Sequence, residues 1–324
     1  MNINRRHLLR LAGAATATAT LTGALRAEGG AFSVLPVYDG LFATSTPLHV
    51  RDVTLRVRNA DVMTRFYADI LGLTVLETTA QTTRLGVDGI ALVTLEHHTD
   101  APIEPPTAAG LYHTAFLMPS RTELARWLVH TAMAQYQFSG FADHRVSEAV
   151  YLDDPEGNGI EVYADRPPEL WSWNGDRVVM GSEPIDFDGL LALTDTETDT
   201  FAAAPWGLRI GHIHLRAGNI EEARAFYNAA LGLDITSGRE DAVFLSSGRY
   251  HHHVALNTWQ SAGAGMRNAA ATGLARFTLL ASDAAVLDTA RKNLLAAGAK
   301  IEEKAENLSV FDPWGTGLDI IVSA

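Results

Sequence analysis

The chain has 324 residues, enough for about two domains, and its 47% hydrophobic and 19% charged residues favour a folded protein over a disordered one. Its formal net charge of −13 argues against a nucleic-acid-binding protein, which would need a basic face for phosphates. The chain contains no cysteine, which excludes disulfides, iron–sulfur clusters, zinc–thiolate sites and a cysteine nucleophile. Any bound metal must therefore be held by nitrogen and oxygen atoms.

Residues 1–27 have the pattern of a twin-arginine signal peptide. Arg5 and Arg6 precede an Ala/Thr/Gly/Leu run, and Ala27 is a candidate end of a cleavage site. A transmembrane anchor is the alternative, but the threonines and glycines within the run make it too weakly apolar for a good bilayer span. We therefore predict export to the periplasm, no stable membrane span in the mature protein, and an N-terminal extension over 28–47.

Two segments repeat each other at a constant spacing. Residues 59–73 and 219–233 share Asn, Phe, Tyr, Leu, Gly and Leu at matching places. In each copy the Asn is a candidate N-cap, apolar residues recur at helical spacing and a Gly follows, which predicts an amphipathic helix. A strand with strict polar–apolar alternation precedes each helix, at 52–57 and 212–217.

A second repeat lies at the end of each half. Asp-Pro-x-Gly turns at 154–157 and 312–315 lead into final strands. Together the repeats predict an α+β protein of four βαβββ modules. Modules one and two are expected within 48–164 and modules three and four within 208–324. The linker over 165–207 contains two adjacent prolines and an acidic stretch.

A set of candidate metal ligands emerges when the same strand positions are compared across the modules. At the first-strand position the four modules carry, in order, Asp52, His113, His212 and Arg276. On the last strand, module two carries Glu161 and module four carries Asp319, whereas module three has no acid. If two modules share one site, only modules two and three supply two imidazoles and a carboxylate. Modules one and four would oppose a cation with an arginine.

Two histidines and one carboxylate form the ligand set of non-haem Fe(II) oxygenases, with Mn(II) as a substitute. The set leaves adjacent positions on an octahedral ion open for a bidentate substrate and dioxygen. The alternative is that the histidines are hydrogen-bonded strand residues and Glu161 is a surface acid, which is the commoner situation for any one of them alone. Their coincidence at equivalent repeat positions favours the metal site.

The modules resemble those of the vicinal oxygen chelate superfamily, which includes glyoxalase I, fosfomycin and bleomycin resistance proteins and type I extradiol dioxygenases. Segments 110–113, 146–152, 210–215 and 250–259 resemble the fused four-module catechol 2,3-dioxygenase-like proteins most. The resemblance implies a cup of curved sheet in each module pair. It also implies that modules pair out of order, two with three and one with four.

The resemblance also assigns roles to residues of this chain. It implies that the two histidines and the glutamate bind the metal and that His252 moves a proton between substrate or oxygen and solvent. Tyr151 matches a tyrosine that hydrogen-bonds a catecholate oxygen, and His144 is a further candidate for a substrate contact. A neutral imidazole suits the role of proton shuttle. For the run 251–253, the alternative is a solvent-facing cluster, and strand alternation would place His252 opposite its two neighbours.

The function implied is an Fe(II)-dependent extradiol dioxygenase that opens a catechol-like aromatic diol with O2. Two other functions stay open. A glyoxalase-like metal-dependent isomerase or lyase would need a further acid on the last strand of the partner module, where module three has Ala255 and Asn257. A non-catalytic small-molecule-binding protein of the antibiotic-resistance type would need no redox metal. The sequence leaves the substrate and association into a homo-oligomer undecided.

Overall fold

The structure is a computed structural model that describes residues 3–12, 40–304 and 307–322. The predicted signal peptide therefore lies outside the described residues except for 3–12, and the predicted N-terminal extension except for 40–47. Within the described part of the chain, no helix combines the length and hydrophobicity that crossing a bilayer requires.

The first half of the chain forms two βαβββ modules. A helix and a short 3-10 turn come before them: α1 (Arg5–Leu11) and Phe42–Ser45. Module one consists of β1 (Leu48–Val57), α2 (Ala60–Asp69), β2 (Thr74–Thr78), β3 (Thr82–Val87) and β4 (Ile90–His97). Module two consists of β5 (Gly110–Leu117), α3 (Arg121–Met133), β6 (Gly140–Asp143), β7 (Ser147–Asp153) and β8 (Gly159–Asp165).

The second half repeats this order after a connecting segment. That segment contains a 3-10 turn (Pro168–Leu170), β9 (Trp173–Asn174), β10 (Arg177–Val178) and α4 (Phe187–Leu191). Module three consists of β11 (Arg209–Arg216), α5 (Ile220–Ala223) with its π-helical continuation (Arg224–Ala230), β12 (Asp234–Arg239), β13 (Ala242–Ser246) and β14 (Val254–Asn257). Module four consists of β15 (Gly273–Ala281), α6 (Ala284–Ala296), β16 (Ile301–Lys304), β17 (Asn307–Phe311) and β18 (Gly317–Val322).

The modules combine into two eight-stranded sheets. The strand order is β12-β13-β14-β11-β5-β8-β7-β6 in one sheet and β16-β17-β18-β15-β1-β4-β3-β2 in the other. At the centre of each, the first strands of two modules pair antiparallel, β5 with β11 and β1 with β15. The predicted α+β fold is confirmed, with modules two and three in one sheet and modules one and four in the other.

The repeated tyrosines connect the two sheets. The hydroxyl of Tyr67 in α2 donates to Asp154 of module two (3.1 Å), and that of Tyr227 donates to Asp312 of module four (3.0 Å). Each aspartate also accepts backbone N–H groups of its own Asp-Pro-x-Gly turn. Burial raises the pKa of Asp154 to about 6. Both copies of the repeat thus use a core tyrosine to hold a turn of the other sheet.

The first helix packs onto the folded body. Ile3, Leu8 and Leu11 are buried in the same apolar core as the sheets, whereas Arg5 and Arg6 are exposed. The helix is fixed at its end by the backbone N–H of Phe138, which donates to the Leu11 carbonyl at 2.9 Å. The arginine pair is therefore presented on the surface.

Candidate metal centre

The central strands place the predicted ligands on one face of their sheet. In the antiparallel register, His113 lies opposite His214 and His212 opposite Ala115, so His113 and His212 occupy equivalent positions of their modules. In the parallel pairing of β5 with β8, Glu161 lies beside Ala115 and therefore near His212. The out-of-order pairing of modules is what brings the three side chains together.

We call His113, His212 and Glu161 the histidine site. Oε2 of Glu161 is 3.0 Å from Nε2 of His113 and 3.4 Å from Nε2 of His212, and one ligand atom of each residue lies within 4.8 Å of the others. All three side chains are buried. Neighbouring ligands of a six-coordinate ion with bonds of about 2.1 Å lie about 3 Å apart, so these separations suit a shared metal ion.

The protonation states also suit a metal. Burial alone would raise the pKa of Glu161, but His212 and His113 reverse this and hold it well below its ordinary value. Burial lowers the pKa of His212 to about 4, against the attraction of Glu161. The site thus presents a carboxylate and a neutral imidazole, the forms in which these groups bind metals.

One ligand atom has no hydrogen-bond partner among the described residues. Nε2 of His113 is buried and meets no described residue in hydrogen-bond geometry, despite its proximity to Glu161. A buried polar atom left unpaired costs free energy, which a bound cation would recover. The residues therefore fit a metal ion, as the donor set predicts.

Tyr151 and His144 lie next to the histidine site and are joined to each other. Tyr151 lies opposite Glu161 in the register of β7 with β8, and its ring centroid is 5.6 Å from that of His113. Nδ1 of His144 lies 2.7 Å from the carbonyl of Gly181, which can only accept, so Nε2 of His144 accepts from the Tyr151 hydroxyl at 2.6 Å. Burial, and then the charge of Glu161, raise the pKa of Tyr151, so the hydroxyl keeps its proton.

The three consecutive histidines at 251–253 do not form the strand that the sequence predicted. They lie in the loop before β14 rather than in the strand, and all three are buried, which contradicts a solvent-facing cluster. His252 packs its ring against His212, with centroids 4.1 Å apart, and lies nearly perpendicular to the ring of Phe244, with centroids 5.2 Å apart. Burial lowers the pKa of His252 well below its ordinary value, so this imidazole is neutral.

Sequence reasoning missed an aromatic wall beside the site. The ring of His214 lies 4.8 Å from that of Tyr112, 5.5 Å from Trp259 and 5.9 Å from Phe244, and Nε2 of His214 lies 2.9 Å from the amide nitrogen of Asn257. His214 follows His212 by two residues on β11, so the strand period already placed both on one face. The other members come from separate strands and loops, which no local pattern connects.

The fourth equivalent position of this sheet carries no ligand. In the parallel pairing of β11 with β14, Ala255 lies beside His214 as Glu161 lies beside Ala115. Ala255 is thus the counterpart of Glu161, and the sheet offers one carboxylate to the histidine site rather than two.

The other sheet has different side chains at the same positions, Asp52, Arg276 and Asp319, which we call the arginine site. Its polar groups are hydrogen-bonded to neighbours: Arg276 donates to Asp319 at 2.8 Å, Ser309 donates to Asp319 at 2.6 Å and Thr278 donates to Asp52 at 2.9 Å. The predicted loss of a metal set in modules one and four agrees with these contacts.

Comparisons with known proteins agree with this architecture. The family model of the Glyoxalase/Bleomycin resistance protein/Dioxygenase superfamily matches residues 48–162 and 209–318. The chain is 37% identical over 274 residues to a catechol-2,3-dioxygenase of Bacillus subtilis (strain 168), a match that covers 82% of this chain and 94% of that relative.

Solved structures share the fold at low identity. One from Bacillus subtilis subsp. subtilis strain 168 has a TM-score of 0.61 at 14% identity and covers 86% of this chain and 85% of its own. Glyoxalase I from Zea mays has a TM-score of 0.51 at 14% identity, with 87% and 94% covered. Since both halves match the family model and a relative matches across most of its length, this chain belongs to the Glyoxalase/Bleomycin resistance protein/Dioxygenase superfamily.

Proposed function

We propose that the protein is a non-haem Fe(II)-dependent extradiol dioxygenase that opens the ring of a catechol-like aromatic and incorporates both atoms of O2. The observation that carries this proposal is the buried histidine site, whose two imidazoles and single carboxylate form the donor set of non-haem iron oxygenases. The relative named catechol-2,3-dioxygenase, 37% identical over nearly its whole length, supports the same reaction class.

The register favours an oxygenase over a glyoxalase-like isomerase or lyase. An isomerase site of that type would take a second acid at the position of Ala255, where no ligand atom is available. The clustering of His113, His212 and Glu161, with one ligand atom of each within 4.8 Å of the others, favours a metal-dependent enzyme over a metal-free binding protein, which would have no need of that donor set.

Fe(II) at the histidine site would supply redox chemistry toward O2 and adjacent coordination positions for the two diol oxygens. Mn(II) fits the same donors. His113, His212 and Glu161 would hold the ion.

The surrounding side chains have separate roles toward the substrate. The neutral imidazole of His252 can accept the proton of a substrate hydroxyl. The Tyr151 hydroxyl, which donates its own proton to His144, can accept a hydrogen bond from a substrate hydroxyl. The wall formed by Tyr112, His214 and Trp259 offers apolar ring surface to a planar aromatic molecule. A flat diol bound at the histidine site would contact these rings.

The test is anaerobic loading of the chain with Fe(II), followed by a panel of catechols, with oxygen uptake and the yellow ring-fission product as readouts. We expect uptake of O2 in proportion to the ring opened. His113→Ala should abolish turnover, whereas Arg276→Ala, the equivalent change in the arginine site, should keep it. Absence of uptake across the panel in iron-loaded protein, or isomerisation supported by Ni(II) or Zn(II) without oxygen consumption, would contradict the proposal.

We also propose that the chain is exported by the twin-arginine route. The exposure of Arg5 and Arg6 on α1 leaves the pair accessible to a receptor even when the body is folded. Fractionation of bacteria that express the chain should find it in the periplasm, and the double change Arg5→Lys, Arg6→Lys should retain it in the cytoplasm. Wild-type protein confined to the cytoplasm of a host with this export route would contradict export.

A further inference from the structure

His251 and Asp165 form a hydrogen-bonded chain that ends at His252. Nδ1 of His252 lies 2.8 Å from Nδ1 of His251, and Nε2 of His251 lies 2.9 Å from Oδ1 of Asp165. His251 has no exposed surface, whereas the Asp165 side chain is 16% exposed. The chain thus runs from the ring beside the histidine site to a carboxylate at the protein surface.

The order of donors along this chain follows from chemistry. An ionised carboxylate only accepts hydrogen bonds, so Nε2 of His251 carries the proton that points at Asp165. In a neutral ring the other nitrogen then accepts, and its partner Nδ1 of His252 must be the donor. The hydrogen bond of His252 to His251 is made through Nδ1, which leaves Nε2 with its lone pair.

The carboxylate is itself held in place. The Tyr250 hydroxyl donates to Oδ2 of Asp165 at 2.9 Å, and the Tyr163 hydroxyl lies 2.7 Å from that of Tyr250. Burial raises the pKa of both tyrosines, so both stay protonated, with Tyr163 the donor to Tyr250. A Cβ at Gly211 would lie 1.7 Å from the Tyr163 hydroxyl, so this close approach requires glycine immediately before His212.

We propose that Asp165 and His251 are positioning residues that hold His252 in the Nδ1–H tautomer, with Nε2 free to accept a proton from the substrate. The inference rests on the proposed dioxygenase function. The proton would move from a substrate hydroxyl oxygen to Nε2 of His252, and Asp165, through His251, would stabilise the imidazolium that results. The logic is that of a catalytic triad, in which a carboxylate fixes the tautomer of the imidazole that acts as base.

The first readout is independent of activity. Nitrogen-15 NMR of histidine-labelled full chain, loaded with diamagnetic Zn(II), reports which ring nitrogen of His252 carries the proton, with the signal assigned by His252→Gln. We expect the Nδ1–H form in the wild type and a shift toward the Nε2–H form in Asp165→Ala and in Asp165→Asn. An Nε2–H form in the wild type, or a tautomer unchanged in both variants, would overturn the inference.

The second readout is steady-state turnover of the Fe(II)-loaded enzyme. Both Asp165 variants should lower kcat by about a hundredfold or more, the usual contribution of a positioned base, while KM and iron content stay near the wild-type values. The matched control is Asp199→Asn, which alters another aspartate–histidine pair, 2.7 Å from His130 and away from the site, and should leave kcat unchanged. Loss of iron in the Asp165 variants, or wild-type kcat, would overturn the inference.

The two readouts separate this inference from the proposed function. If iron-loaded wild-type protein cleaves no catechol but the tautomer shifts in the Asp165 variants, the dioxygenase proposal fails and the positioning role stands. If catechols are cleaved and the Asp165 variants keep both the tautomer and kcat of the wild type, the positioning role fails and the dioxygenase proposal stands.

Discussion

The histidine site and the arginine site occupy equivalent positions in two sheets of the same topology, yet their polar groups find different partners. In the histidine site, Nε2 of His113 makes no hydrogen bond to a described residue, and the three ligand groups are almost fully buried. In the arginine site, Arg276 and Asp319 pair with each other and remain partly exposed, with 42% and 20% of their side chains accessible. The arginine site contains its own cation, the guanidinium of Arg276, whereas the histidine site has an imidazole at that position.

The comparison shows that the repeated fold does not decide the chemistry. In both sheets, the register of the two central strands brings equivalent residues of the two modules to the same place. What differs is the side chain at each position and whether a neighbour satisfies it. A guanidinium where the other sheet has imidazole closes the arginine site against a metal ion, because like charges in a partly buried site repel.

The largest effect is expected when the carboxylate is removed from one site at a time. Glu161→Gln should lose bound metal and all measurable turnover, because a neutral amide is a much weaker ligand than a carboxylate. Asp319→Asn, the equivalent change in the arginine site, should alter neither. Metal content by mass spectrometry and oxygen uptake are the measurements. Retention of one metal per chain by Glu161→Gln would break the comparison.

A gain of metal should follow when the arginine site is given the side chains of the other. The double change Asp52→His, Arg276→His leaves Asp319 as the carboxylate and creates two histidines and one acid at equivalent positions. We expect a second equivalent of Zn(II) or Ni(II) in equilibrium dialysis. The Arg276→His change alone should bind only the first equivalent. Binding of one equivalent by the double variant would show that strand position is insufficient for a site.

A smaller effect concerns pH and stability. Burial lowers the pKa of His253 to about 3, while an unfolded chain has a histidine pKa of about 6.5. The unfolded state therefore binds more protons between these values, and stability falls with decreasing pH by up to about 1.4 kcal/mol per pH unit. Urea unfolding of metal-free protein at pH 7 and pH 5 should show this fall, and His253→Asn should reduce it.

The control for this measurement is His98→Asn in module one, where the histidine side chain is 49% exposed. Because this side chain is already largely in contact with solvent in the folded chain, the variant should keep the wild-type dependence of stability on pH. An identical pH dependence in His253→Asn and wild type would contradict the burial argument.

The smallest effect is expected for the ion pair of the arginine site. Arg276→Met removes the contact with Asp319, and because the pair is partly exposed, the free energy of unfolding should change by less than about 1 kcal/mol. Urea denaturation of the two proteins measures the difference. A loss of several kcal/mol would mean that the arginine site is a structural centre of its sheet rather than a satisfied surface pair.

The periodic parts of the sequence predicted the fold well because they are local signals. Asn59 and Asn219 cap their helices as the pattern indicates, and the Asp-Pro-x-Gly segments form the turns before β8 and β18. The ligands followed from comparing equivalent positions of a repeat. The run at 251–253 was misinterpreted as strand, since three adjacent histidines carry no turn signal and their burial depends on partners far away in the chain.

For Asp165, the sequence predicts the direction of the side chain but not its hydrogen-bond partners. Glu161, Tyr163 and Asp165 alternate along β8 and share one face, so their common orientation was readable from the strand period. Their partners were not: Tyr250 and His251 lie 85 and 86 residues further along the chain. Hydrogen bonds of such long separation depend on how the loops of one module pack against the strands of another.

The sequence by itself determined the repeat, the strand and helix periods and the identity of the three candidate ligands, because each depends on residues close together or on matching positions of a duplicated unit. Only the tertiary structure decided that the ligand atoms meet, that the polar groups of the arginine site are hydrogen-bonded to neighbours, and that a surface carboxylate reaches His252 through His251. Those features arise from contacts between modules, where burial and the absence of water set which polar groups must pair.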